Sequence, residues 1–128
     1  MKMFAIKWTF WIGFGAFYAA LAVIFGAFGS HALKSKLSPS DFDIFQTASQ
    51  YHMYHALGIL AIGMVATRID STLLNTAGIF IAVGSIIFSG SLYALVLTDT
   101  RILGAVTPIG GVLLIIGWLS FAWCAFSL

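Results

Sequence analysis

Charge is what this sequence has least of. Only 8% of its 128 residues are charged, six basic and four acidic, where a soluble domain carries roughly a quarter. So few charges cannot clothe a water-soluble fold of this length. The basic residues are scattered and form no run of the kind that draws nucleic acid or anionic lipid to a span end, so nucleic-acid partners are discounted. Cysteine occurs once, as Cys124, which rules out an internal disulfide and leaves that side chain as a small packing element. Also missing are a glycine-rich phosphate loop, a CxxC pair, an HExxH and any carboxylate inside an apolar run, because Asp41, Asp43, Asp70 and Asp99 all fall in polar breaks. A proton relay or cation pathway of buried carboxylates has nothing to be built from.

What fills the chain is apolar: 61% of residues, with a mean hydropathy of +1.04. A hydrocarbon core of about 30 Å takes about 20 residues of helix at about 1.5 Å each, so one membrane domain, residues 1–128, has room for four spans and no soluble domain. These are expected at about 8–33, 48–67, 75–97 and 102–126, with an amphipathic helical segment at about 39–47. Lipid tolerates no open sheet edge, so the spans are helices. The predicted fold class is an all-α integral membrane protein, a four-transmembrane-helix bundle with an interfacial amphipathic start to the second helix. The first apolar run, WTFWIGFGAFYAALAVIFGAFG, exceeds the roughly 7–15 residues of a signal core and reads as a retained span.

Local chemistry marks the boundaries. In KSKLSPSDFD, Ser38 suits the N-cap, Pro39 the N1 position and Asp41 the N3 position, so a helix is predicted from Pro39 to about Thr67. Its first turns carry Asp43, Gln46, Gln50 and Tyr54 on one side and Phe42, Phe45 and Ser49 on another. In the first span Gly15, Ala19, Ala22, Gly26 and Gly29 recur every three or four residues, a row that lets a neighbouring helix come close within the monomer or in a dimer. Trp8, Trp11, Trp118 and Trp123 suggest an aromatic belt on the side of the termini. Basic residues tie between that side (Lys2, Lys7, Arg68) and the other (Lys34, Lys36, Arg101); the first helix favours cytoplasmic termini.

The topology gathers polar residues in the leaflet opposite the termini. His31 lies at the exit of span one, Tyr51, His52 and His55 in the first turns of span two, Tyr93 near the exit of span three and Thr107 at the start of span four, with Ser30, Ser89 and Ser91 at similar depth. Pro108, read as lying inside a helix, would leave the Gly104 carbonyl without its N–H. Three readings stay open. The histidines are hydrogen-bonded packing elements; or they form a binding or permeation site that carries a proton; or His31 faces His52 or His55 and holds a metal, haem or quinone. Three histidines without cysteine or carboxylate underspecify a metal site, and no cofactor is predicted.

Four stretches carry a resemblance: GAFGSHAL (26–33), TASQYHMYHAL (47–57), SGSLYALVLT (89–98) and LGAVTPIGGVLLIIGW (103–118). In this order and spacing they resemble the YgdD/YwdK-like family of small bacterial membrane proteins. The family pattern includes a histidine like His31, a YHMxHAL core like Tyr51 to Leu57, a tyrosine like Tyr93 and a TPxGG element matched by Thr107, Pro108, Gly110 and Gly111. Two positions depart from it: Ser30 stands where alanine is frequent and Asp99 where glycine is common. The resemblance implies a four-span inner-membrane protein carrying a domain of unknown function, and it brings no reaction or substrate. Taken together, the residues point to a non-enzymatic binding or accessory protein that self-associates or joins a larger membrane complex in the bacterial cytoplasmic membrane. The alternatives are a small oligomeric transporter or channel, or a haem, metal or quinone redox protein.

Overall fold

A computed structural model describes residues 6–128, and every regular element among them is helical. Four long helices follow one another: α1 (Trp8–Phe28), α2 (Pro39–Ala66), α3 (Thr72–Thr98) and α4 (Thr107–Phe126). A π-helical turn, Gly29–Leu33, closes α1, and a 3-10 turn, Arg101–Ala105, precedes α4. Lys2, one of the residues weighed for orientation, lies outside the described residues. Three stretches, Trp8–Leu33, Thr72–Thr98 and Arg101–Phe126, are long and apolar enough to cross a membrane. At 28 residues α2 is as long, but Asp41, Asp43, Gln46, Gln50 and His52 in its first half, and His55 just beyond, lower its hydropathy.

The helix ends follow from side-chain caps. Ser38 Oγ accepts the Asp41 backbone N–H at 3.1 Å, and Pro39 opens α2 as predicted. Ser71 Oγ accepts the Leu74 N–H at 3.2 Å, which starts α3 at Thr72, three residues earlier than hydropathy alone placed it. That helix stops at Asp99, whose φ of 54° is left-handed and cannot continue an α-helix. Pro108 corrects an expectation: it sits in the first turn of α4, where a missing N–H costs nothing, and not inside a continuous helix with an orphaned Gly104 carbonyl.

Neighbours in sequence are neighbours in space: α1 packs on α2, α2 on α3 and α3 on α4. On α1 the buried positions are Trp11, Gly15, Tyr18 and Ala22, followed by Gly29, a spacing of threes, fours and sevens that keeps one face inward. The small-residue row is therefore spent inside the monomer. A Cβ on Gly15 would lie 2.9 Å from Leu60 Cγ, and one on Gly29 2.5 Å from the Phe45 ring. Ala19 and Gly26 are half-buried at the edge of the row.

Along α4 the buried residues are Thr107, Gly110, Leu114, Gly117 and Cys124, again at three-and-four spacing. At Gly110 two backbones touch: a Cβ there would stand 2.5 Å from the Phe88 nitrogen and 2.8 Å from the Gly84 carbonyl oxygen. Gly111 differs, since its Cβ would meet only the Phe88 ring, at 3.8 Å. With lipid on the outside, contact of this kind, not flight from water, holds helices together. The main core joins Trp11, Ile59, Ile62, Leu74, Ile81 and Leu114, and a smaller one at the loop end joins Phe45, Ala48, Tyr93, Leu95 and Val96.

Candidate functional site

Polar side chains inside these helices meet in pairs, and α3 is a partner in each of the interhelical ones. Trp11 Nε1 donates to Asn75 Oδ1 at 2.9 Å. About two turns further, Tyr18 Oη and Ser85 Oγ share a hydrogen bond of 2.8 Å. At the loop end Phe25 stacks on Tyr93 with ring centroids 4.7 Å apart. The three contacts climb in the same direction on both helices, so α1 and α3 run parallel, with α2 returning between them. On the other partners, Ser89 Oγ donates to the Ala48 carbonyl of α2 at 2.8 Å, and Ser91 Oγ meets Thr107 Oγ1 of α4 at 2.6 Å.

His52 is the most enclosed of the predicted cluster, 3% exposed. Its Nδ1 lies 3.0 Å from Tyr93 Oη, and its ring sits 4.0 Å from that of Tyr18. Its Nε2 is buried with no hydrogen-bond partner among the described residues. His55 turns elsewhere: its Nδ1 is 2.6 Å from the Tyr51 carbonyl one turn back, and its ring lies 5.9 Å from Trp118 of α4. A carbonyl only accepts, so the His55 Nδ1 carries the proton. Tyr51 rests its ring on Phe88 at 4.8 Å and stays partly exposed.

His31 does not join them. It sits exposed on the π turn, whose Gly29 and Leu33 stay against the packed interior while Ser30 and His31 do not. The expectation of three histidines around one centre is corrected accordingly: His52 faces α1 and α3, His55 faces α4, and His31 faces outward. Among the described residues no three His, Cys, Asp or Glu side chains converge as metal ligands would.

Sequence reading missed Trp11, which it assigned to an aromatic belt, and Tyr18, which it did not single out. Trp11 is 1% exposed and belongs to the interior, whereas Trp118, 40% exposed, lays one edge of its ring on Gly58. A usable signal existed: Trp11, Gly15, Tyr18 and Ala22 share one helical face, and a tyrosine on the face lined with small residues points at a neighbour.

Outside the apolar zone one ion network ties the loops. Both terminal nitrogens of Arg101 reach the Asp41 carboxylate at 2.8 Å, and its Nε reaches Asp99 at 2.8 Å. Hydrogen bonds from Arg101 hold the Asp41 carboxyl below the usual carboxylate range, and Asp41 first, then Asp99, raise the Arg101 guanidinium above its own. This pairing accounts for an aspartate at the left-handed position, where glycine is the residue at home. Beside it, between the π turn and the first turns of α2, a lateral cavity of about 250 Å³ is lined by Gly26, Gly29, Ser30, Gln46, Ser49 and Gln50, with Phe42 and Phe45.

A family model described as a protein of unknown function, DUF423, matches residues 25–111, the stretch that runs from Phe25 through His52 and Tyr93 to Gly111. The chain belongs to the DUF423 family. A UPF0382 membrane protein of Staphylococcus epidermidis is 50% identical over 119 residues, covering 93% of this chain and 91% of the relative. The UPF0382 membrane protein YwdK of Bacillus subtilis is 43% identical over 120 residues, covering 93% and 92%. No solved structure matches the chain. Both relatives match this chain over nearly their whole length, and their printed names call them membrane proteins without assigning a reaction.

Proposed function

We propose that this DUF423 protein is a non-enzymatic, multi-pass protein of the bacterial cytoplasmic membrane that acts by binding, as an accessory subunit or a self-associating unit. In this reading it is one membrane domain of four spans, with both termini cytoplasmic. The parallel course of α1 and α3 supports the span count: two parallel spans in sequence require the helix between them to cross back. Burial of Ala56, Ile59 and Ile62, each 0% exposed, supports a crossing of α2 through the middle of the packing.

One observation carries the functional part. Apart from the His52 Nε2, the polar groups that the sequence places in lipid are engaged inside the protein, His52 Nδ1 by Tyr93, His55 Nδ1 by its own helix, Tyr18 by Ser85 and Ser91 by Thr107. They lock helices together, and they do not converge on a space where a substrate could react. The test is reconstitution of the purified protein in liposomes. The expected result is a colourless protein that supports no solute or proton flux and migrates as a defined oligomer or complex. A pH-dependent flux abolished by His52→Ala would replace this reading with transport, and a Soret band would replace it with redox chemistry.

A further inference from the structure

We propose that the mouth between α1, α2 and α3 on the terminal side binds a phosphodiester, the headgroup phosphate of an anionic membrane lipid. This goes beyond the functional reading above and does not depend on it. The cavity there holds about 330 Å³, within the range of about 300–1,000 Å³ usual for small-ligand sites. Lys7 and Arg68 line it together, with Trp8 and Asp70 on its walls and Ile6 and Leu74 as its apolar part. One cation stands just before α1 and the other in the turn between α2 and α3, far apart in sequence, which is why no basic run betrays them.

Neither Lys7 nor Arg68 is ion-paired among the described residues, in contrast with Arg101, which is saturated by two carboxylates. Asp70 is already engaged. With Asp70 engaged, Lys7 and Arg68 leave the cavity cationic, which suits a phosphodiester. The position of Lys7 adds to this: it stands at the N-cap of α1, a helix with no side-chain cap and no acidic residue in its first turn. A cation at the positive end of a helix is unfavourable by itself and becomes favourable once an anion sits between. Trp8, 47% exposed on the same rim, places the cavity at the depth where indole rings meet headgroups, so the membrane supplies the phosphate at high local concentration.

The experiment uses the full chain in neutral detergent and native mass spectrometry with dioleoyl phosphatidylglycerol, dioleoyl phosphatidylcholine or inorganic phosphate. Phosphatidylglycerol should be retained over phosphatidylcholine. Lys7→Gln with Arg68→Gln should reduce that retention roughly tenfold or more, since each surface cation near a membrane contributes about a factor of five. Lys34→Gln with Lys36→Gln removes the same charge at the other end and should leave retention unchanged. The swapped pair Lys7→Arg with Arg68→Lys keeps charge and fold and should retain the lipid. Equal losses in both Gln pairs, loss in the swapped pair, or no preference for the anionic lipid would overturn the site. Adducts of inorganic phosphate that depend on Lys7 and Arg68, without lipid adducts, would overturn the lipid as the source.

Discussion

Toward α4, helix α3 offers mainly glycine and bare backbone, with Ser91 and Thr107 as a polar pair at one end; toward α1 and α2 it offers mainly oxygen atoms, with Gly78 giving room to Trp11. On the first side Gly84 faces Gly110 so closely that a single methyl group would strike main chain. On the second, Asn75, Ser85, Ser89 and Tyr93 reach across wider gaps to Trp11, Tyr18, Ala48 and His52. Both solve the same problem, association of helices in a medium that gives no hydrophobic reward for meeting. They differ in tolerance. A backbone contact has no rotamer to adjust, so it fails abruptly, while a polar pair that loses one member leaves a defect of limited cost that neighbours can partly relieve.

The largest expected effect is therefore on the glycine side. Gly110→Leu should destabilise the protein by about 3 kcal/mol or more, at or above the usual range for overpacking, whereas Gly111→Ala should change little because only a ring edge stands nearby. Reversible unfolding in mixed micelles measures both. If the two glycines proved equally sensitive, the close approach of α3 and α4 would not be what holds that seam.

Next comes the polar side. Tyr93→Phe removes the hydroxyl that meets the buried His52 Nδ1, at a cost of about 1–3 kcal/mol. The same unfolding assay, with Tyr18→Phe beside it, sharpens the contrast: the Tyr18 change should cost less, since Ser85 is a small hydroxyl able to turn to its own helix backbone. A Tyr93→Phe effect beyond that of Gly110→Leu would reverse the ranking of the two sides.

A smaller effect belongs to the loop network. Because Arg101 depresses the Asp41 pKa in the folded state, the stabilisation is fully present above the unfolded carboxyl value of about 3.9 and is lost as pH falls through the lower folded value. The melting temperature should fall more steeply below about pH 4 in the parent protein than in Arg101→Gln, and added salt should narrow the difference at neutral pH. Identical acid limbs would mean the network contributes nothing in solution.

Smallest of all is His31→Ala, expected within about 0.5 kcal/mol of the parent and additive with His52→Ala, because the two side chains share no partner. Sub-additive losses would bring His31 back to His52 and undo the separation of the two.

Much of this molecule was legible in one dimension. Helix existence follows from runs of apolar residues, and the start of α2 from Ser38, Pro39 and Asp41, because hydropathy and capping act over a few residues of chain. Even the buried face of α1 was implicit in the spacing of Trp11, Gly15, Tyr18 and Ala22. The order of the histidines along the chain was legible too, yet it says nothing of direction around a helix axis. That direction, which sends His52 to Tyr93, His55 toward Trp118 and His31 outward, was decided by packing. So was the meeting of Lys7 with Arg68 at one cavity. Amino-acid sequence alone determined that this chain makes long apolar helices and where they begin, since those are matters of transfer and local hydrogen bonding. Tertiary structure decided which polar groups face each other, since a contact between residues dozens of positions apart depends on the rotation and register of whole helices, which close packing sets.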